Sequence, residues 1–367
     1  MESRDLSAHA PYVPGSGIEE VARELGVEPD ELVALSSNEN PHGPSPAAVE
    51  AIHEHAGRVN QYPKASHADL TDRIAERWGL DPTQVWLSPG ADGALDYLAR
   101  TMLSPGDRVL VPEPGFAYYA MSARYHHGDV ATYLLSESAG FAGTADAVLD
   151  AYDGERIVYV TTPHNPAGTE FPRSELRELL ASVGEETLVV VDEAYGEYTD
   201  APSSIELLDD YDNLAVTRTF SKAYGLAGLR VGYAAVPGEW ADAYARVNTP
   251  FAANELACRA ALAALDDDDH LRRSVETARW SRAYLREHLA APTVESAANF
   301  VLARVGDAET VAERSKRAGV VVRDCTSFGL PGHVRISCGT REETRLAAET
   351  LNDILADADV SGVTPDD

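Results

Sequence analysis

Short apolar runs alternate with amphipathic stretches along most of the chain. Val85–Ser88, Arg108–Val111, Val130–Leu135, Ile157–Thr161, Leu188–Asp192, Leu214–Thr219 and Arg230–Val236 read as strands. Ile157–Thr161 and Leu188–Asp192 have the near-continuous apolar character of parallel strands covered on both faces. Helical periodicity falls between them, at Asp92–Met102, Tyr118–Tyr125 and Arg173–Val183. This order predicts an α/β architecture, a mostly parallel central sheet flanked by crossover helices. Beyond His270 the pattern gives a long helix, a strand at Phe300–Arg304, a helix ending at Arg317, strands at Val320–Arg323 and Val334–Ser337, and a last helix at Arg341–Leu355. That set predicts a smaller α/β C-terminal domain. Residues 1–46 are rich in Pro, Gly, Ser and Asn, which suggests an extended N-terminal arm with one short helix near Ile18–Glu24; helical pattern begins at Pro46. The expected organisation is an arm over 1–46 that packs with the small domain, a large domain over 47–260 and a small domain over 261–367, with the break between 250 and 275.

Composition narrows the class. A chain of 367 residues exceeds one ordinary core, and 44% hydrophobic residues suffice to build two. No apolar run approaches the ~18 residues of a membrane-spanning helix. The opening MESRDLSAHA has neither the basic nor the apolar region of a secretory signal, so a cytoplasmic protein is expected. The formal net charge is −30; such a surface repels phosphate backbones and argues against nucleic-acid binding. Lysine occurs only as Lys64, Lys222 and Lys316, while acidic runs occur at Asp266–Asp269 and at Asp366-Asp367. This composition resembles that of proteins from salt-loving archaea, whose molar salt screens self-repulsion over a few ångströms. Cys258, Cys325 and Cys338 are odd in number and form no CxxC pair, so buried thiols are expected. His53 with His55, and His126 with His127, are not spaced to share a helical face. They read as surface or packing residues, and no metal site is expected.

Chemistry concentrates at three strand ends. Thr161-Thr162-Pro163-His164-Asn165-Pro166-Ala167-Gly168 follows one apolar run, Asp192-Glu193-Ala194-Tyr195 another, and Thr219 to Arg230 sets Lys222 in a glycine-rich stretch. Open α/β sheets bind ligands beyond the carboxyl ends of their strands, so the three can converge. Together they supply the parts of a pyridoxal 5'-phosphate site. Lys222 offers an amine for the cofactor's aldehyde. Asp192 offers a carboxylate for the pyridine nitrogen. Asn165 and Tyr195 offer hydrogen bonds to the phenolic oxygen, and Ser221 with Arg230 offers phosphate contacts.

The ordered set of NENPxGPSP (from Asn38), PHNPxG (from Pro163), DEAY (from Asp192), SKAYGLAGLRxGY (from Ser221) and RISxGT (from Arg335) resembles the class I/II aminotransferases of fold type I. Within that group the chain is similar to histidinol-phosphate aminotransferases, over almost its whole length. The resemblance implies amino transfer from L-histidinol phosphate to 2-oxoglutarate, giving imidazole-acetol phosphate and L-glutamate in histidine biosynthesis. It implies that Lys222 both bonds the cofactor and moves the substrate proton, and that Asp192, Asn165 and Tyr195 act as above. It places the phosphate on the backbone of Ala91 and Asp92, with Thr219, Ser221 and Arg230, and stacks Phe116 on the ring. Many relatives carry serine at the position of Ala91 and tyrosine at that of Phe116; here these positions offer only a backbone N–H and a ring without hydroxyl. Tyr62 matches a tyrosine that reaches the phosphate in the neighbouring subunit, implying a homodimer. Arg335 matches the grip on the substrate's anionic end, Arg323 resembles a second anion contact, Asn165 also faces substrate, and Tyr12 of the arm closes over it. An aromatic-amino-acid aminotransferase and a threonine-phosphate decarboxylase share these segments and stand as alternatives. A cofactor-binding regulator fits less well, since the chain has no spare length or basic patch for a DNA-binding segment.

Overall fold

A computed structural model describes residues 6–7, 9, 11–12, 15, 17–64 and 67–357; the acidic end Asp366-Asp367 lies outside the described residues. Its strands are β1 Val33–Leu35, β2 Val85–Ser88, β3 Arg108–Glu113, β4 Asp129–Leu134, β5 Ile157–Thr161, β6 Leu188–Asp192, β7 Leu214–Thr219, β8 Gly232–Ala235, β9 Phe300–Arg304, β10 Val320–Asp324 and β11 His333–Ser337. Seven form one sheet in the order β2-β8-β7-β6-β5-β3-β4, and four form a smaller sheet in the order β1-β10-β11-β9. In the large sheet β8 alone runs against its neighbours β2 and β7, and the other pairings are parallel. This is the α/β architecture, a mostly parallel central sheet beside a smaller one, that the alternating pattern predicts.

The apolar runs form central strands because both sheet faces are covered. Successive side chains alternate in direction, so Val158, Val160, Val189 and Val191 enter one core layer. Ile157, Tyr159, Leu188 and Val190 enter the opposite layer with Trp86 and Leu95. The small sheet buries Val301, Val322, Val334 and Ile336 against Leu285, Val311 and Leu351 of its helices. Local chemistry sets the helix starts. Pro46 opens the helix Pro46–His55 with Ser45 accepting from the Ala48 N–H. Thr340 and Glu343 form a capping box at the start of Arg341–Leu355.

Several details differ from the expectation. The arm contributes a strand, β1, which pairs in parallel with β10 through Val33–Val320 and Leu35–Val322. β8 is shorter than Arg230–Val236 because Arg230 adopts a left-handed backbone, φ 55°, ahead of the strand. The long helix spans Asp268–His288, two residues ahead of His270, because the Asp267 carboxylate caps it by accepting from the His270 N–H. The segment between 250 and 275 contains the helix Glu255–Leu265, whose Ala257, Cys258, Ala261 and Leu265 join the core beneath the large sheet. All three cysteines are buried. Among the described residues no helix is long and apolar enough to cross a membrane.

Candidate active site

Strand order brings the chemistry together. β5, β6 and β7 are neighbours, and their registers align Thr161 with Asp192 and Asp192 with Thr217. The segments after these strands therefore leave the sheet side by side. β2 ends nearby in a turn through Gly90, φ 78°, which starts the helix Gly90–Met102. The cavity above these strand ends measures about 300 Å³ and is lined by Ala91, Asp92, Phe116, Asn165, Asp192, Tyr195, Thr219, Ser221, Lys222 and Arg230. Tyr12 and Ser36 to Asn38 of the arm, and Arg323, Phe328 and Arg335 of the small-sheet region, complete the walls.

Asp192 forms the floor. It is 4% exposed; one carboxylate oxygen accepts from the Tyr119 hydroxyl at 2.6 Å and the other from the Ala194 N–H at 3.0 Å. The Tyr119 oxygen also lies 2.8 Å from the Thr161 hydroxyl. Burial pushes the Asp192 carboxyl up, and the Tyr119 hydrogen bond works against that shift. Phe116 meets Tyr119 edge to face at 5.5 Å and Tyr12 at 6.2 Å.

Lys222 Nζ donates to the Ser37 carbonyl at 3.2 Å and lies 5.9 Å from the centre of the Tyr195 ring. Burial, reinforced by the Arg335 guanidinium, pulls its amine down to about 8. The other two lysines are tied to acids, Lys64 to Asp69 and Lys316 to Glu24 and Glu313. Arg335 is 6% exposed. It donates to Asn165 Oδ1 at 2.6 Å and to the Ser36 carbonyl at 2.9 Å, it lies over the rings of Phe300 and Phe328, and its Nε is buried without a partner. Arg323 donates to the Ser327 hydroxyl at 3.0 Å.

At the helix start, Arg230 pairs with Asp92 at 3.0 Å and donates to the Ser221 hydroxyl at 3.3 Å. Thr219 donates to the same hydroxyl at 3.0 Å. A Cβ on Gly90 would lie 2.5 Å from Arg230 Nη2, so the turn accepts only glycine while Arg230 stays in place. Hydroxyls, a guanidinium and free N–H groups at a helix N-terminus form an anion cradle.

The cavity thus gathers all the residues singled out from the sequence except Tyr62. That side chain is 85% exposed and packs on Phe251 at 5.0 Å, outside the cavity. Sequence reading did not assign roles to Tyr119, Asn38, Ser36, Ser37 or Phe328. Asn38 lay within a quoted motif, whereas Tyr119 carried no signal beyond membership of an amphipathic helix.

The chain belongs to the family described as aminotransferase class I and II, whose model matches residues 30–351. Within it, the chain is 68% identical to a histidinol-phosphate aminotransferase of Halorubrum lacusprofundi, over 97% of this chain and 98% of that one. It is 41% identical to the histidinol-phosphate aminotransferase of Symbiobacterium thermophilum, over 95% and 96% of the two chains. Among solved structures, the histidinol-phosphate aminotransferase of Sinorhizobium meliloti in complex with pyridoxal-5'-phosphate matches with a TM-score of 0.87 and 29% identity, covering 97% of this chain and 98% of that one. An aspartate aminotransferase of Thermus thermophilus with maleate matches at 0.80 and 25% identity, covering 96% and 99%.

Proposed function

We propose that the protein is a pyridoxal-phosphate-dependent aminotransferase that moves an amino group between L-histidinol phosphate and 2-oxoglutarate. The observation that carries this reading is the enclosure of one amine of lowered pKa, Lys222, in a cavity with a buried carboxyl and three arginines, Arg230, Arg323 and Arg335. The residues fit the cofactor. The cradle at Gly90–Asp92 with Thr219, Ser221 and Arg230 suits its phosphate, buried Asp192 suits its pyridine nitrogen, and Phe116 suits a ring face. When bound, pyridoxal 5'-phosphate supplies an aldehyde that receives the amino group and a ring that accepts electron density from the substrate's α-carbon.

The chain's own groups do the rest. With the cofactor bound, the Lys222 amine would hold it at its aldehyde carbon and would serve as the base that carries a proton between the substrate's α-carbon and that carbon. Asp192 holds the proton on the pyridine nitrogen, with Tyr119 fixing the carboxylate. Asn165 and Tyr195 hold the phenolic oxygen. Arg335 grips the anionic end of either substrate, since a planar guanidinium meets carboxylate and phosphate alike with two hydrogen bonds. Arg323 adds a contact for the phosphate ester, and Tyr12 covers the bound substrate. The whole-length identity of 68% to a histidinol-phosphate aminotransferase supports this donor over an aromatic amino acid or threonine phosphate. We further infer a homodimer in which the exposed Tyr62 reaches the neighbouring subunit's phosphate cradle, within a cytoplasmic enzyme built as an arm (1–46), a large domain (47–260) and a small domain (261–367).

Borohydride reduction of the cofactor-loaded protein, followed by peptide mapping, tests the cofactor assignment. A pyridoxyl group on Lys222, lost in Lys222→Ala, is the expected result. A label on Lys64 or Lys316 contradicts the assignment.

A further inference from the structure

Three consecutive arm residues each hold one of the cavity's working side chains. The Ser36 carbonyl accepts from Arg335, the Ser37 carbonyl accepts from Lys222 Nζ, and Asn38 Nδ2 donates to the Tyr195 hydroxyl at 3.0 Å. The first two contacts use backbone oxygens that any residue provides. The third requires an amide.

Asn38 is itself tightly determined. It is 1% exposed and has a left-handed backbone, φ 54°, which asparagine tolerates better than most side chains. Its N–H donates to Ser337 Oγ at 2.9 Å, and its carbonyl accepts from Asn299 Nδ2 at 2.9 Å. The Ser337 hydroxyl already accepts that N–H, and its single hydrogen goes to Asn38 Oδ1 at 3.0 Å. In this arrangement Oδ1 faces Ser337, and Nδ2 faces Tyr195. The Tyr195 oxygen is thus an acceptor toward Asn38, and its own hydrogen remains for an acceptor in the cavity.

We propose that Asn38 is a positioning residue: by donating to the Tyr195 oxygen, with its orientation set by Ser337 of β11, it makes Tyr195 a hydrogen-bond donor into the cavity. This rests on the cofactor reading above, in which Tyr195 donates to the phenolic oxygen. The device also ties the donor to the small sheet, because Ser337 and Asn299 hold Asn38 from that side. Asn38→Asp preserves shape and reverses the bond. The carboxylate accepts the Tyr195 hydrogen and turns it away from the cavity. Asn38→Gly removes the amide and leaves Tyr195 unconstrained, without conflict with the left-handed backbone.

The test is a pH titration of the bound cofactor's absorbance in wild type, N38D, N38G, Y195F and the N38D/Y195F double variant. A donor to the phenolic oxygen favours its anionic form, so losing the donor raises the midpoint. The midpoint is expected to rise by roughly one unit in N38D and Y195F, and by less in N38G. In the Y195F background N38D should add nothing, since both changes remove the same bond. Wild-type midpoints in both N38D and N38G, even with lowered melting temperatures, would reduce Asn38 to a structural role and overturn the proposal. An N38D shift that persists undiminished in Y195F also overturns it, because the added charge would then act without Tyr195. If N38D does not fold, N38G against Y195F carries the same comparison. A wild-type protein that gains no cofactor absorbance and no borohydride label overturns the cofactor reading itself, and the proposal with it.

Discussion

At the scale of single residues, legibility followed whether a side chain's role is local or long-range. Asp192 ends an apolar run, where a charged group has no packing purpose, and Lys222 is one of three lysines, set in a glycine-rich stretch; the sequence exposes them for those reasons. Tyr119 and Asn38 act through partners far along the chain: Tyr119 is 73 residues from Asp192, and Asn38 is 157 residues from Tyr195. Only folding brings such pairs together. The lowered pKa of Lys222 is likewise a product of folding, caused by burial and by Arg335. Its sign gives a prediction. Attack on the cofactor's aldehyde needs the neutral amine, so the rate at which cofactor-free protein reacts with pyridoxal phosphate should rise with pH through about 8 and then level off. Arg335→Ala removes a positive charge, favours the protonated amine and should move that midpoint upward. Stopped-flow absorbance at a series of pH values measures both. A wild-type midpoint near the ordinary 10.5, or a downward movement in the variant, contradicts the electrostatic account.

At the scale of elements, the central strands were legible because covering both faces demands continuous apolar sequence. β1 was not legible. Three residues in a segment rich in Pro, Gly and Ser carry little periodicity, and the strand exists because β10 presents a parallel edge to it. The turn between β2 and the helix Gly90–Met102 shows an element boundary that serves the site. Gly90→Ala introduces a side chain at φ 78°, which costs about 1–2 kcal/mol for an L-residue. It also forces Arg230 away, since the new Cβ would lie 2.5 Å from Nη2. Cofactor affinity should fall about tenfold or more, equivalent to ~1.4 kcal/mol, while the large-sheet core remains folded. Fluorescence titration with pyridoxal phosphate, beside a circular-dichroism melt, measures the two separately. Unchanged affinity would remove Arg230 and the helix start from the phosphate cradle.

At the scale of the whole molecule, charge and assembly dominate. A net charge of −30 repels itself in dilute buffer, and molar salt shortens the screening length to roughly 3 Å. The melting temperature should therefore rise, by roughly 5–10 °C, between about 0.1 and 3 M potassium chloride. Light scattering in the same series should give a dimer. A flat or falling melting curve contradicts the salt account, and a monomer in molar salt contradicts the shared site of Tyr62. The central claim concerns the reaction itself, and a single-turnover measurement tests it most directly. Protein with bound cofactor is mixed, without any keto acid, with histidinol phosphate, phenylalanine, tyrosine, aspartate or threonine phosphate in turn, and the cofactor's absorbance is followed. The account predicts that histidinol phosphate converts the cofactor to its aminated form fastest, and that 2-oxoglutarate then restores the starting spectrum. Faster conversion by phenylalanine or tyrosine, or release of carbon dioxide from threonine phosphate with the starting spectrum unchanged, would contradict it.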